Sequence, residues 1–340
     1  TANHNTLLVK GNGQLGEGEP WFAAAEALVF GHNPHLVDLR STDSCDYMLA
    51  DLTSAYHPAL GLNRWRRHYL YLRPDMLVLA DEISLDERGA LYAWGVDSLV
   101  TTGDLSIKDG YIVGERGTAG CVFNGPDGVW TVGVSYIDNE PGSGSYALLI
   151  DSTPVFAWKD TVRITDTHYQ VVQDVRLKNG DRIEVRGAPM GRGARLVKLA
   201  AWDRYVPSPR SVEWLLHFEP GTTLSREFTR IQALSGNVAL DVYPLAPDRR
   251  THDWGTFEIE KSLGIKTTER LVIRPVFTDS TVVLLNVLHI RSSASPPLDR
   301  LTGGTVGSKA FLRWFERGLP VNVGLDLVSG AVSIQRFNRE

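Results

Sequence analysis

The chain has 340 residues, of which 43% are apolar and 22% charged, and its formal net charge is −5. The sequence pI of about 6.0 argues against a nucleic-acid-binding protein, which carries a basic face and a high pI, but not against an anionic substrate held in a local basic cleft. No stretch approaches the roughly 20 consecutive apolar residues of a membrane-spanning helix, so we expect no membrane partner.

Short β-branched and aromatic runs, separated by turn residues, recur along the whole chain. The predicted strands are residues 27–30, 68–72, 76–80, 91–96, 111–113, 129–136, 146–150, 170–175, 182–185, 195–200, 213–218, 238–243, 270–275 and 281–289. Residues 309–317 fit either a strand or a helical turn. This spacing predicts an all-β protein built as a large antiparallel β-sandwich. A polar break after residue 248 divides it into a sandwich, 1–248, and a small C-terminal β-rich extension, 249–340.

The first candidate site is His4-Asn5-Thr6, which precedes an apolar run and a Gly-Asn-Gly turn. His4 is a candidate metal ligand or charge neutraliser, with the Asn5 amide as a hydrogen-bonding neighbour. The alternative is an incidental histidine near a chain terminus, where residues are often poorly ordered.

The second candidate is the pair Tyr56 and His57. Phenol and imidazole groups can act as general acid and general base when their pKa values are tuned. We therefore regard both as candidate catalytic residues. The alternative is a strand end with Tyr56 packed and His57 exposed.

The third candidate is the cluster Arg64, Trp65, Arg66 and Arg67. Arginine binds carboxylates through two parallel hydrogen bonds, and an indole ring offers a flat apolar surface to a sugar. The cluster is therefore a candidate substrate-binding site for a carboxylated sugar. The alternative is that one arginine faces solvent while another pairs with Asp75 or Asp81.

The two cysteines, Cys45 and Cys121, leave two arrangements open. One disulfide fits, and so do two buried free thiols. Cysteine usage therefore does not indicate a compartment.

Several stretches, taken in order, resemble the heparinase II/III-like polysaccharide lyases. They are His4-Asn5-Thr6-Leu7, Asp51-x-Thr53-x-Ala55-Tyr56, Arg66-Arg67 with Tyr69-Leu-Tyr-Leu, Pro74-Asp75 with Asp81-Glu82, Trp214-x-x-His217, and Arg270-Leu-Val-Ile-Arg274-Pro275. The resemblance extends to about Ile290. It implies the β-sandwich region of a protein whose α/α toroid lies upstream, so we expect this chain to lack the toroid and to partner with it.

The resemblance also implies a chemistry, which is β-elimination on uronic-acid polysaccharides. A positive or hydrogen-bonding group neutralises the uronate carboxylate, a Tyr or His removes the C5 proton, and a Tyr protonates the leaving oxygen. It implies zinc as a cofactor, with His4 as one ligand and the others upstream.

Because the toroid supplies most catalytic groups in that family, we expect the chain alone to be catalytically incomplete. A periplasmic or extracellular location and self-association through exposed surface are further expectations. The alternative function is a non-catalytic carbohydrate-binding or scaffolding module.

Overall fold

The computed structural model describes residues 5–17, 25–108, 110–114, 116–138, 145–159, 166–188, 194–227, 229–259 and 266–337. These residues form an all-β protein of antiparallel sheets, which confirms the predicted fold class. The helical segments in this part of the chain are α1 (Ala25–Val29) and single 3-10 turns at Thr53–Ala55, Pro58–Leu60 and Val96–Ser98. None of the helices described is long and apolar enough to cross a membrane.

The strands follow one another closely along the chain. Those described are β1 (Leu7–Val9), β2 (His35–Ser41), β3 (Cys45–Asp51), β4 (Leu62–Leu72), β5 (Met76–Leu85), β6 (Arg88–Gly95), β7 (Val100–Thr101), β8 (Ser106–Lys108), β9 (Tyr111–Val113), β10 (Thr118–Val122), β11 (Gly128–Asp138), β12 (Ser145–Ile150), β13 (Thr153–Lys159), β14 (Asp166–Leu177), β15 (Arg182–Ala188), β16 (Ala194–Pro207), β17 (Val212–Phe218), β18 (Thr223–Glu227), β19 (Arg230–Ser235), β20 (Val238–Ala246), β21 (Arg250–Ile259), β22 (Lys266–Pro275), β23 (Thr281–Ser292), β24 (Asp299–Val306), β25 (Lys309–Glu316), β26 (Leu319–Asp326) and β27 (Val332–Arg336).

An eight-stranded central sheet, in the order β18-β19-β20-β23-β5-β4-β3-β2, is covered on both faces. The front sheet, β1-β17-β22-β21, packs on one face, and the C-terminal meander β24-β25-β26-β27 packs on the other. Successive side chains of a strand point to opposite faces. In β4, Trp65 therefore enters the core shared with the front sheet, and Leu70 enters the core shared with the meander.

A second sandwich is inserted between β5 and β17. Its sheets are β14-β11-β16-β9-β8, with β6 paired to β16, and β13-β12-β15-β10-β7. The buried residues of its core fall between Val96 and Ala201. The chain leaves and rejoins the first part at one point, because the amide of Ser208 donates a hydrogen bond to the carbonyl of Glu87 at 2.9 Å.

The boundary predicted after residue 248 falls between strands that share sheets. β21 and β22 complete the front sheet, and β23 lies between β20 and β5 in the central sheet. The separate C-terminal element is the meander, which begins at Asp299.

Both cysteines are free thiols, each buried in a different core. Cys45 packs under the meander, and Cys121 packs inside the second sandwich. Burial raises the pKa of Cys121 to about 12. Since only the thiolate is a strong nucleophile, Cys121 has a packing role.

Candidate functional site

The front sheet has one apolar face and one face that carries both polar and apolar side chains. Trp214 and Leu216 of β17, with Leu271 and Ile273 of β22, enter the core. The alternate positions form the outer face, which we define by six residues: Glu213, His217, Asp253, Phe257, Arg270 and Arg274. Polar side chains from three neighbouring strands therefore gather on this face, around the buried apolar side chains of Leu8, Leu215 and Val272.

His217, Arg270 and Phe257 are in contact on this outer face. His217 and Arg270 are direct cross-strand partners, and the Arg270 guanidinium carbon lies 4.0 Å from the centroid of the Phe257 ring. The His217 ring lies 5.5 Å from the same ring. The Asn5 side-chain oxygen accepts a hydrogen bond from the His217 amide at 2.6 Å, which ties the His4-Asn5-Thr6 stretch to this cluster.

The two arginines of the outer face have different partners. Arg274 Nε lies 2.8 Å from Glu213, and its Nη1 lies 2.5 Å from Asp253. Arg270 forms no salt bridge with the described residues, and partial burial and the Arg274 charge lower its pKa against the opposing effect of the Glu213 charge. A guanidinium stays protonated in proteins, so Arg270 is the cation of this face that can pair with an added carboxylate.

Tyr56 lies in the core between the front and central sheets, with 2% of its surface exposed. Its hydroxyl donates a hydrogen bond to the Leu7 carbonyl at 2.6 Å, and burial raises its pKa. Tyr56 therefore holds β1 in place, and its hydroxyl does not reach the surface.

His57 lies elsewhere, at the junction with the second sandwich, where its ring is 4.2 Å from the ring of Phe30 and 4.8 Å from that of Trp202. Burial and the charge of Lys198 lower the pKa of His57 to about 3. Its Nδ1 accepts a hydrogen bond from the Ala59 amide at 3.1 Å. The neutral ring therefore carries its proton on Nε2, which makes it a hydrogen-bond donor there and a poor general base at neutral pH.

Two members of the predicted arginine cluster are in the core. Trp65 is fully buried, and its indole N–H donates to Asp81 at 2.7 Å. Arg67 donates to the same carboxylate through Nε at 2.6 Å and Nη2 at 3.0 Å. This arrangement matches the structural alternative, because Arg67 pairs with Asp81, a carboxylate of the protein itself.

The other two members of the cluster face solvent. Arg64 is exposed, and Arg66 is 40% exposed and lies 3.3 Å from Asp51. They lie on a different sheet from the outer face defined above, so the structure does not bring all the predicted site residues together.

His4 lies outside the described residues, so the metal-ligand prediction is not addressed by the structure. Among the residues described, no group of three or more His, Cys, Asp and Glu side chains could hold a metal ion.

His217 follows the apolar run Trp214-Leu215-Leu216, a setting typical of a core histidine, so the sequence does little to single it out. The alternation Glu213, Leu215, His217 could have shown two polar positions on the face opposite Trp214. That pattern is short, and its partner Arg270 lies in a strand that is distant in sequence.

No family model and no curated protein matches the sequence. Among solved structures, the chain is similar to the heparan sulfate lyase HepC from Pedobacter heparinus, with a TM-score of 0.45, 8% identity, and coverage of 100% of this chain and 31% of that chain. It is also similar to heparinase III, with a TM-score of 0.41, 9% identity, and coverage of 99% and 30%.

A third similar structure is the CBM36-1 domain of a multidomain xylanase from the hindgut metagenome of Trinervitermes trinervoides. Its TM-score is 0.29 at 9% identity, covering 34% of this chain and 97% of that chain. The chain thus spans about three tenths of the length of the two lyases. At these TM-scores and identities, the similarity assigns neither an activity nor a ligand to this chain.

Proposed function

We propose that this chain is the β-sandwich part of a lyase acting on uronic-acid-containing polysaccharide, and that the outer face of the front sheet is turned toward the polymer. One observation carries the proposal. Asn5, His217, Arg270 and Arg274 come from three lyase-like stretches that are far apart in sequence, yet they lie side by side on one face.

Arg270 offers the positive charge that β-elimination requires next to the substrate carboxylate. A uronate carboxylate must be neutralised before the C5 proton becomes acidic enough to leave, and a guanidinium fork does this through two charge-assisted hydrogen bonds. The ring of Phe257 packs against one side of the Arg270 guanidinium. The amide hydrogen bond to Asn5 fixes the strand that carries the neighbouring His217.

Tyr56 and His57 do not supply the proton-transfer groups of the reaction on the outer face. The Tyr56 hydroxyl is committed to Leu7, and His57 is held neutral with its proton on Nε2. We therefore propose that the base and the acid belong to an upstream α/α toroid of the same protein. The protein would act in the periplasm or outside the cell, where such polymers occur, and zinc held partly by His4 stays part of this proposal.

A non-catalytic carbohydrate-binding module is the second candidate. It is favoured by the burial of Tyr56, because a binding module needs no base. The two functions differ in product, since only a lyase creates an unsaturated uronate.

The first test measures ultraviolet absorbance of unsaturated uronate, with this chain alone on alginate, heparan sulfate and hyaluronan, with and without zinc. We expect no increase in absorbance from the folded chain, and an increase when the upstream portion is added. An increase from the chain alone would show that it carries a complete site. No increase in either case, with polymer retained, would favour the binding module.

The second test measures polymer binding by affinity electrophoresis, comparing Arg270→Ala with Arg313→Ala. Arg313 is a matched control, because it also lies over an aromatic ring, Phe315, but on the distant meander. We expect Arg270→Ala to weaken binding about tenfold, or 1.4 kcal/mol, and Arg313→Ala to leave it unchanged. Equal effects of the two variants would contradict the assignment of the outer face.

A further inference from the structure

A cavity of about 220 Å³ lies where the first part of the chain meets the second sandwich. One wall is the turn after β1, from Gly11 to Leu15, and the opposite wall is formed by β6 and β16. Lys10 fixes this turn to the second sandwich, because its Nζ donates to the Arg88 carbonyl at 2.6 Å and to the Gly89 carbonyl at 3.1 Å. The cavity is therefore bounded by anchored strands and turns.

Charged side chains are buried at the base of this cavity. Lys198 and Glu26 are 4% and 1% exposed, and Lys198 Nζ lies 2.5 Å from Glu26 Oε2. The Gly16 amide donates to the same carboxylate oxygen at 3.0 Å. Burying such a pair is costly, and here it faces a space large enough to admit a ligand.

His57 supplies a second observation, independent of the ion pair. It lines the cavity and is 2% exposed. Its Nε2 has no hydrogen-bond partner among the described residues. Because Nδ1 accepts from the Ala59 amide, Nε2 bears a hydrogen, and a buried donor without an acceptor destabilises the folded chain. A bound acceptor atom would remove that cost.

We propose that this cavity binds a neutral pyranose, through hydroxyl groups that accept from His57 and Lys198 and donate to Glu26. Its volume equals that of about seven waters at ~30 Å³ each, which fits one sugar ring. Among the described lining residues, Glu17 and Glu26 are acidic and Lys198 is the cation, so a uronate would meet net negative charge. This site is separate from the outer face that carries the proposed function.

The test is isothermal titration and saturation-transfer NMR of the full chain with D-glucose, D-galactose and D-glucuronate. We expect saturable binding of a neutral hexose and a shift of the His57 Nε2–H resonance, with glucuronate at least tenfold weaker. Absence of saturable hexose binding, or equal binding of glucuronate, would overturn the proposal.

Two variants locate the binding. His57→Phe removes the donor but keeps an aromatic ring, and Ala93→Leu fills the cavity from an exposed strand position, where folding is little affected. Each is expected to weaken hexose binding at least tenfold. Ala157→Leu, the same change at an exposed strand residue outside the cavity, is the control and is expected to have no effect.

The polymer-binding variant separates the two sites. Arg270→Ala is expected to leave hexose binding unchanged, regardless of its effect on polysaccharide binding. Loss of hexose binding in Arg270→Ala, or in Ala157→Leu but not in Ala93→Leu, would overturn the assignment to this cavity.

Discussion

Arg66 and Arg67 are adjacent in the sequence but have opposite environments. Arg67 is buried and forms a two-pronged pair with Asp81, its direct cross-strand partner. Arg66 faces the other side of β4 and forms a single contact with Asp51. Strand alternation alone produces this difference, so one arginine stabilises the fold while the other remains available to solvent.

We predict that Arg67→Ala lowers the free energy of unfolding by about 3–5 kcal/mol, because it leaves the Asp81 charge buried and unpaired. Arg66→Ala, the matched control, is expected to cost less than about 1 kcal/mol. Urea denaturation of both variants checks this. Similar costs for the two would contradict the burial difference.

Tyr56→Phe tests a structural role against a catalytic one. The variant leaves the Leu7 carbonyl without its buried donor, so we expect a loss of about 1–3 kcal/mol in stability. Once the upstream portion is present, lyase turnover at a temperature where the variant is folded is expected to be unchanged. A loss of turnover with normal stability would restore Tyr56 as a catalytic residue.

Asp241 connects a buried charge network to pH. Burial alone would raise its pKa, but the nearby His289 ring, with Nδ1 3.8 Å from the carboxylate, the hydrogen bonds from Arg291 and the Arg230 charge lower it to about 2. Since the folded pKa lies below the unfolded value of about 3.9, the stabilisation is present above about pH 4 and is lost as pH falls toward 2.

The expected result is a falling urea midpoint between pH 5 and pH 2.5, with a weaker fall in Asp241→Asn than in the wild type. Asp241→Asn is also expected to be less stable at pH 5, because Arg230 and Arg291 lose their shared carboxylate. Asp43→Asn, at an exposed position, is the control. An unchanged pH dependence in Asp241→Asn would contradict this account.

At the scale of the elements, β25 resolves an ambiguity of the sequence. Residues 309–317 fit either a strand or a helical turn, and the structure makes Lys309–Glu316 a strand. Ala310, Leu312 and Trp314 are buried under the central sheet, whereas Phe311 is 46% exposed. Apolar residues at every second position pack against the central sheet, and this packing makes the segment a strand. Strand propensity depends strongly on such packing.

We predict that Trp314→Ala lowers the free energy of unfolding by about 3–5 kcal/mol through the cavity that it leaves. Phe311→Ala, three residues away on the opposite face of the same strand, is expected to cost less than about 1 kcal/mol. Thermal or urea unfolding of the two variants checks the orientation of β25.

β2 is an edge strand with an apolar surface. Leu36 and Leu39 are 52% and 65% exposed, and β2 pairs only with β3 within the described residues. Exposed apolar edges promote pairing with another chain. We predict that Leu39→Lys reduces concentration-dependent association, measured by analytical ultracentrifugation, while Leu28→Lys, at an exposed helix position, does not.

For the whole molecule, the sequence predicts what is local. Turn residues and the alternation of apolar and polar residues predict the antiparallel strands. The β4–β5 hairpin places Arg67 opposite Asp81, which is the structural alternative considered for the arginine cluster. The sequence does not predict which distant strands meet. His217 finds Arg270, and His57 finds Lys198, only through packing between strands far apart in the chain, so both candidate sites require the three-dimensional structure.

The pairing of β5 with β23 has a consequence for the order of folding during synthesis. β5 ends at Leu85, and its neighbour begins at Thr281, with the whole second sandwich between them. Contacts of such long sequence separation form slowly, and domains fold as they emerge from the ribosome. We therefore expect the inserted sandwich to fold first, and the β4–β5 hairpin, which has buried apolar residues on both faces, to complete its sheet only after β23 has been made.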